Sequence, residues 1–200
     1  MTRGEAPSTR TERIPLFPLR TVLFPHGLLP LRIFETRYLD MIRRVMREGK
    51  GFGVVLILDG AEIGRVGEVA HVGTWARVVD FDQLPDGLLK IVVRGERRFR
   101  VVGRNMQSDG LHLGDVEWLD DPPEQLPAHE CPELAATLSK ALAELGPEYP
   151  VGPARMDDAL WVAGQIGQLL PVPPAIRQKL LEVDGARERL RRIERLRLNS

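Results

Sequence analysis

A chain of 200 residues with 28 basic and 28 acidic side chains and 43% hydrophobic content fits one large domain or two small ones with a real core. The balanced charge excludes a global field toward nucleic acid or anionic lipid, and the single cysteine, Cys131, excludes an internal disulfide and a multi-cysteine metal site. No apolar run exceeds five residues, the length of Val54 to Leu58, against the roughly 20 a membrane-spanning helix needs.

The N-terminal MTRGEAPSTRTER is polar and lacks the apolar stretch of a secretory signal, so residues 1–13 are predicted as a disordered tail and the protein as cytoplasmic. The next stretch, IPLFPLRTVLFPHGLLPL, is apolar but carries Pro15, Pro18, Pro25 and Pro30. Proline removes a backbone donor and is confined in sheets to edges, strand starts and bulges. The segment therefore reads as short extended pieces, 16–19, 21–24 and 28–33, that wrap a barrel edge. Pro25-His26-Gly27 is the turn, with glycine supplying the left-handed backbone.

Phe34, Tyr38, Met41, Ile42 and Val45 recur at helical spacing and predict one buried helical face. Arg43, Arg44 and Arg47 suit its C-terminal end, and Gly49 stops it. From Gly51 the period changes to two. GFGVVLIL reads as a strand. In GTWARVVDF, Trp75, Arg77, Val79 and Phe81 alternate onto one face. Leu84-Pro85-Asp86-Gly87 reads as a turn, and LLKIVVRG, RRFRVV and LHLGDVEWL as further strands. Residues 14–121 are thus a β-rich subdomain.

Asp120-Asp121-Pro122-Pro123, with Pro127 and Pro132, is strong punctuation, and residues 122–131 read as a linker. Four helices follow in 132–200: 132–145, 156–170, 174–183 with proline in its first turn, and 186–198 with Ala186, Leu190 and Ile193 inward. Asp157-Asp158 suit the dipole at a helix start.

Catalytic patterns do not emerge. The chain has no phosphate-cradling GxxxxGK[ST]. His26, His71, His112 and His129 are scattered without metal-ligand spacing, and no cofactor is implied. Ser139-Lys140 are neighbours on a helix, about 100° apart, so they read as solvated surface and not as a nucleophile with its base. Cys131 reads as a small residue in the linker. The last helix holds Arg187, Arg189, Arg191, Arg192, Arg195 and Arg197, but Glu188 with Arg192 and Glu194 with Arg197 are helix-spaced ion pairs. A solvated face is the expectation.

Taken in order, IPLFPLRTVLFPHGLLPLRIFETRY, VGTWARVVDFDQLPDGLLKIVVRGERRFRV and QLLPVPPAIRQKLLEVDGARERLRRI resemble the N-terminal substrate-binding domain of the Lon protease family over Ile14 to Leu196. The resemblance implies an α+β fold, a PUA-like β pseudo-barrel followed by a C-terminal helical bundle. It also implies a non-catalytic module that binds unfolded or damaged polypeptide, an adaptor with a protease or chaperone as partner. The ATPase and Ser–Lys protease modules of that family would begin where this chain ends, so a free-standing domain is expected. The zinc-bound domain of the cereblon branch is excluded by the lone cysteine. A barrel rim of Phe17, Phe24, Phe34 and Tyr38 beside Arg20, Arg32 and Arg37 could offer a peptide groove. Phe34 and Tyr38 are the two expected to fill core instead. The alternative is RNA binding, on a stripe of Arg94, Arg97, Arg98 and Arg100, as PUA-like barrels do elsewhere. A small enzyme without a recognisable motif is a third, unsupported reading.

Overall fold

A computed structural model describes residues 11–60, 67–83, 88–127, 129–146, 149 and 151–198. The turn expected at 84–87 and most of the expected tail lie outside them. Six strands come first: β1 (Glu12–Leu19), β2 (Leu28–Ile33), β3 (Phe52–Leu56), β4 (Val72–Gln83), β5 (Leu89–Met106) and β6 (His112–Trp118). Helix α1 (Thr36–Arg47) falls between β2 and β3. Helices α2 (Pro132–Leu145), α3 (Ala159–Leu169), α4 (Pro174–Leu181) and α5 (Ala186–Leu198) follow the sheet. The class is α+β, as expected.

The strand order is β2-β5-β4-β3-β1-β6, and β5 also pairs β6. Five strands therefore close a ring, and β2 hangs outside it on β5. The long β5 makes this closure: residues 89–100 pair β4 and residues 99–106 pair β6. The two stretches LLKIVVRG and RRFRVV are thus one continuous strand. Bulges where β4 meets β5 break the simple alternation. Past Val79, Phe81 lies opposite Ile91 while Arg77 lies opposite Arg94. Phe81 is accordingly on the other face from Arg77, which corrects the one-face reading.

The proline-rich opening is not all edge. In β1, residues 12–16 pair β6 and residues 16–19 pair β3. Pro15 is thus paired on the β6 side only and Pro18 on the β3 side only. Each proline loses no ladder bond, although the strand is internal. The piece 21–24 is not a strand. Its backbone is satisfied by side chains: Thr74 Oγ1 donates to the Leu23 carbonyl at 2.6 Å, and Gln168 Oε1 accepts from the Phe24 amide at 3.1 Å.

The turn that follows is type II. The Gly27 amide donates to the Phe24 carbonyl at 3.0 Å, with Pro25 second and His26 third. It is His26, at φ 64°, that takes the left-handed backbone; the expectation assigned that role to Gly27. The geometry is held from both sides. Gly95 exchanges backbone bonds with His26 and Gly27, and Gln165 donates to the His26 carbonyl at 2.6 Å. A Cβ at Gly95 would overlap the Phe24 carbonyl, and one at Gly164 the Pro25 carbonyl.

Helix α1 packs Tyr38, Met41, Ile42 and Val45 on the sheet against Phe52, Ala76, Ile91 and Val93. It ends in a Schellman motif: Lys50 donates to Val45 and Gly49, at φ 64°, donates to Met46. Phe34 does not join that face. It precedes the helix and is 52% exposed. A second core joins sheet to helices, with Phe24, Val72 and Leu126 packed among Trp161, Val162, Leu190 and Ile193. The Pro-rich connection is stapled to the helices. Leu126 donates to Asp157, Ala159 donates to Glu124, and Glu124 Oε1 accepts from Ala186. Asp158 caps α3 through the Leu160 and Trp161 amides.

At this junction two arginines expected in solvent are fully buried. Arg98 of β5 makes a bidentate bond to Asp121 at 2.7 and 2.9 Å, a bond to Asp184 at 3.0 Å, and bonds to the Leu181 and Val183 carbonyls. All five of its N–H groups are thereby engaged. Arg189 of α5 reaches the Leu180 and Val183 carbonyls and Asp121. Burial works against the charge on Arg98, but Asp121 and Asp184 together outweigh it and hold the guanidinium above its ordinary value. Burial, then the neighbouring Arg98, pushes Arg189 down to about 10, still charged at neutral pH.

Two outcomes follow from this packing. Asp121→Asn leaves the two buried cations facing only Asp184, which is itself largely exposed, and lowers stability by about 3–5 kcal/mol in urea unfolding followed by tryptophan fluorescence. The second concerns His26 and His112. Burial, then nearby arginines (Arg155 for His26; Arg104 and Arg37 for His112), holds both below the ordinary histidine value. The unfolded chain then binds more protons as pH falls through about 6.5. Their contribution is fully present above that pH and declines below it. The urea midpoint falls between about pH 7 and 5.5, and His26→Gln with His112→Gln flattens the decline.

Candidate functional site

A concave site of about 250 Å³ opens where β1, β2 and the start of α1 meet. Proline at position 30 suits β2 to an edge, and among the described residues β2 pairs only β5, along its full length from Leu28↔Arg94 to Ile33↔Leu89. Leu29 and Leu31 alternate onto one face and are half-buried, while Pro30 and Arg32 are exposed. Phe17 and Tyr38 close the floor with ring centroids 4.2 Å apart, and Phe52 backs Phe17 at 5.8 Å. Phe34 stands at the lip. The site is thus an apolar trough beside the outer edge of a strand, with one exposed aromatic and one exposed guanidinium.

Four of the seven predicted site residues meet here: Phe17, Arg32, Phe34 and Tyr38. Phe17 and Tyr38 are buried and act as floor; Arg32 and Phe34 are reachable. Phe24 lies elsewhere, fully buried with its ring against Gly167 at the sheet–helix junction, out of reach from the surface. Arg37 is committed to structure. It pairs Glu35 at 2.7 Å, donates to the Gly110 carbonyl at 2.9 Å and lies over the Tyr38 ring. Arg20 donates to the Gly60 carbonyl at 2.8 Å and is not among the residues lining the trough. Sequence reasoning passed over Leu29 and Leu31. Their alternation with exposed Pro30 and Arg32 is the signal that could have found them.

The other candidates resolve as surface or scaffold. Arg98 is buried, so the predicted arginine stripe is broken. Arg97 lies over the Trp118 ring at 5.0 Å, Arg94 is half-buried, and only Arg97 and Arg100 are exposed. Ser139 donates to the Ala135 carbonyl, and Lys140 faces Glu144 at 3.9 Å; hydroxyl and amine are not paired. Burial and then Glu194 push the Cys131 thiol up, away from the reactive thiolate. The Glu188–Arg192 pair forms at 3.1 Å, whereas Arg197 bonds Glu133 instead of Glu194. Among the described residues no group of His, Cys, Asp and Glu could hold a metal, and no helix is long and apolar enough to cross a membrane.

Residues 13–196 match the family model of the ATP-dependent protease La (LON) substrate-binding domain. Lon protease 2 of Desulfotalea psychrophila is 30% identical over 186 residues, 87% of this chain and 23% of that protein. Lon protease of Escherichia coli K12 is 28% identical over 90% of this chain and 24% of its own length. The chain thus spans about a quarter of the curated relatives it matches. Among solved structures, a Lon N-terminal domain protein from Xanthomonas campestris is 37% identical, with a TM-score of 0.73 over 91% of this chain and 96% of that one. The N-terminal domain of a Mycobacterium avium complex Lon protease shares the fold at 20% identity and a TM-score of 0.57.

Lip and floor separate by mutation. Phe34→Ala changes stability by within about 0.5 kcal/mol, as for an exposed side chain. Phe17→Ala costs roughly 3–5 kcal/mol through the cavity it leaves under Tyr38. Urea unfolding of the two variants checks the contrast.

Proposed function

The chain belongs to the Lon substrate-binding domain family, and from that premise we propose that it is a non-catalytic module that holds unfolded or damaged polypeptide in the trough beside β2. The observation that carries this reading is Phe34, a large aromatic left 52% exposed at the lip of an apolar trough along an unpaired strand edge. An extended peptide can lay alternate apolar side chains against Leu29, Leu31 and the floor, while Arg32 favours clients with an acidic flank. Aromatic and arginine side chains that a partner covers and desolvates supply much of the binding energy in such contacts, and a client lying in the trough covers both. Held this way, a client reaches a partner protease or chaperone in the cytoplasm, and the module acts as an adaptor in protein quality control. RNA binding is the second reading, and the burial of Arg98 removes the middle of the stripe it would need.

A titration of the protein against a labelled unfolded polypeptide and a labelled single-stranded RNA, each at low and moderate salt, separates the two. Polypeptide binding saturates, survives moderate salt, and weakens about tenfold in Phe34→Ala, the equivalent of about 1.4 kcal/mol. RNA binding alone, falling steeply with salt, would overturn the reading. So would polypeptide binding that Phe34→Ala and Arg32→Ala leave unchanged.

A further inference from the structure

Helices α4 and α5 meet along a second groove, of about 280 Å³, that shares no residue with the trough beside β2. Each helix contributes one helix-spaced triplet. In α4, Ile176, Lys179 and Leu180 stand at i, i+3 and i+4; in α5, Arg192, Arg195 and Leu196 do the same. The three aliphatic side chains form the floor and the three cations form the rim, with no carboxylate among the lining residues. Arg192 is held by Glu188 at 3.1 Å. Lys179 and Arg195 make no hydrogen bond or ion pair among the described residues. The chain as a whole is neutral, so this concentration of positive charge around an apolar floor is local. It is not the spill-over of a basic protein.

From this arrangement we infer that the α4–α5 groove is a docking site for an acidic amphipathic helix of a partner protein. Such a helix lays aliphatic residues at i, i+3 or i+4 and i+7 into the floor and sets carboxylates on both flanks against Lys179, Arg192 and Arg195. The charge pattern selects the partner: a basic or neutral helix of the same apolar face leaves the rim cations facing like charge or nothing. The site is separate from polypeptide capture, so it suits the partner to which a captured chain is passed.

The test uses the whole protein and two fluorescent peptides of about 20 residues, long enough to be helical on their own. Both carry leucine at i, i+3, i+4 and i+7; one is otherwise glutamate-rich and the other lysine-rich. Anisotropy titrations show saturable binding of the acidic peptide that weakens with salt and little binding of the basic one. The double variant Lys179→Glu, Arg195→Glu alters only exposed side chains and keeps the circular dichroism spectrum. It loses about tenfold in affinity for the acidic peptide and gains affinity for the basic one. Phe34→Ala leaves this binding unchanged, which separates its failure from failure of the trough. The inference is overturned by absent saturation, by equal binding of both peptides, or by affinity that the double variant leaves intact. It is also overturned if sedimentation shows self-association that the double variant abolishes, since the occupant is then a second copy. Binding to vesicles of anionic lipid with no binding of the acidic peptide overturns it as well.

Discussion

Taking a guanidinium out of water costs several kcal/mol even after the protein relaxes around it, and this molecule does so twice at one place. Arg98 leaves β5 and Arg189 leaves α5, and both converge on Asp121 at the end of the sheet. The remaining bonds go to Asp184 and to the carbonyls of Leu180 and Leu181 in the last turn of α4 and of Val183 just beyond it, where a helix leaves carbonyls short of intrahelical donors. Cations belong at that end of a helix dipole. The cluster therefore serves three segments at once: it neutralises a buried carboxylate, caps a helix and fixes where the helices sit on the sheet. Because an imperfect fit would strand a buried charge, few other arrangements of sheet and helices are compatible with it. The rest of the architecture inherits its orientation from this point.

The trough depends on a different constraint, the prolines. Pro15 and Pro18 survive inside the ring because β1 changes partner at Leu16. Pro30 leaves β2 suited to one neighbour only. The ring closes through β5 and β6 without β2, so β2 keeps an outer edge, and α1 covers most but not all of the apolar face behind it. Phe17 and Tyr38 are consumed by that cover. Phe34, one residue before the Glu35 helix cap, is left over. The site is thus a by-product of where α1 starts, held on strands and a helix that are themselves firmly packed, as a precise recognition surface requires.

How much of this could be read from residue order depends on the period of each element. The bounds of α2 and α5 are legible to the residue, α2 because Pro132, Gly146 and the apolar spacing agree, α5 because Gly185 precedes the inward spacing of Ala186, Leu190 and Ile193. β2 was also legible, from its prolines and alternation. Phe34 was misread because it keeps helical spacing with Tyr38 and only the cap position separates it from the buried face. His26 was misread because glycine is the easier residue at φ 64°; the bonds from Gly95 and Gln165 that impose the strain come from far along the chain. Bulges hid the faces of β4 and β5, since one extra residue inverts an alternating pattern. Local sequence assigns Arg98 and Arg189 to solvent, because charged residues are rarely buried unless paired. Their pairing partner is 23 residues away for one and 68 for the other, beyond any local pattern.

An arginine-rich strand and an arginine-rich helix look alike in composition, yet their charges are spent differently. On β5, Arg98 is withdrawn into the interior and Arg97 lies on an indole, so no continuous phosphate-binding track survives. On α5, Arg189 is withdrawn too, Arg187 is held by Glu130 and Arg197 by Glu133. What remains outward on the α4 side is Arg192, itself paired with Glu188, and Arg195. The same burial that removes the nucleic-acid stripe from the sheet therefore sharpens the charge on the helices into a short cationic rim. It also fixes that rim in place, because Arg98 and Arg189 bind the end of the helix that supplies its other half. Composition reports how many arginines there are; the buried carboxylate at position 121 decides which of them a partner can meet.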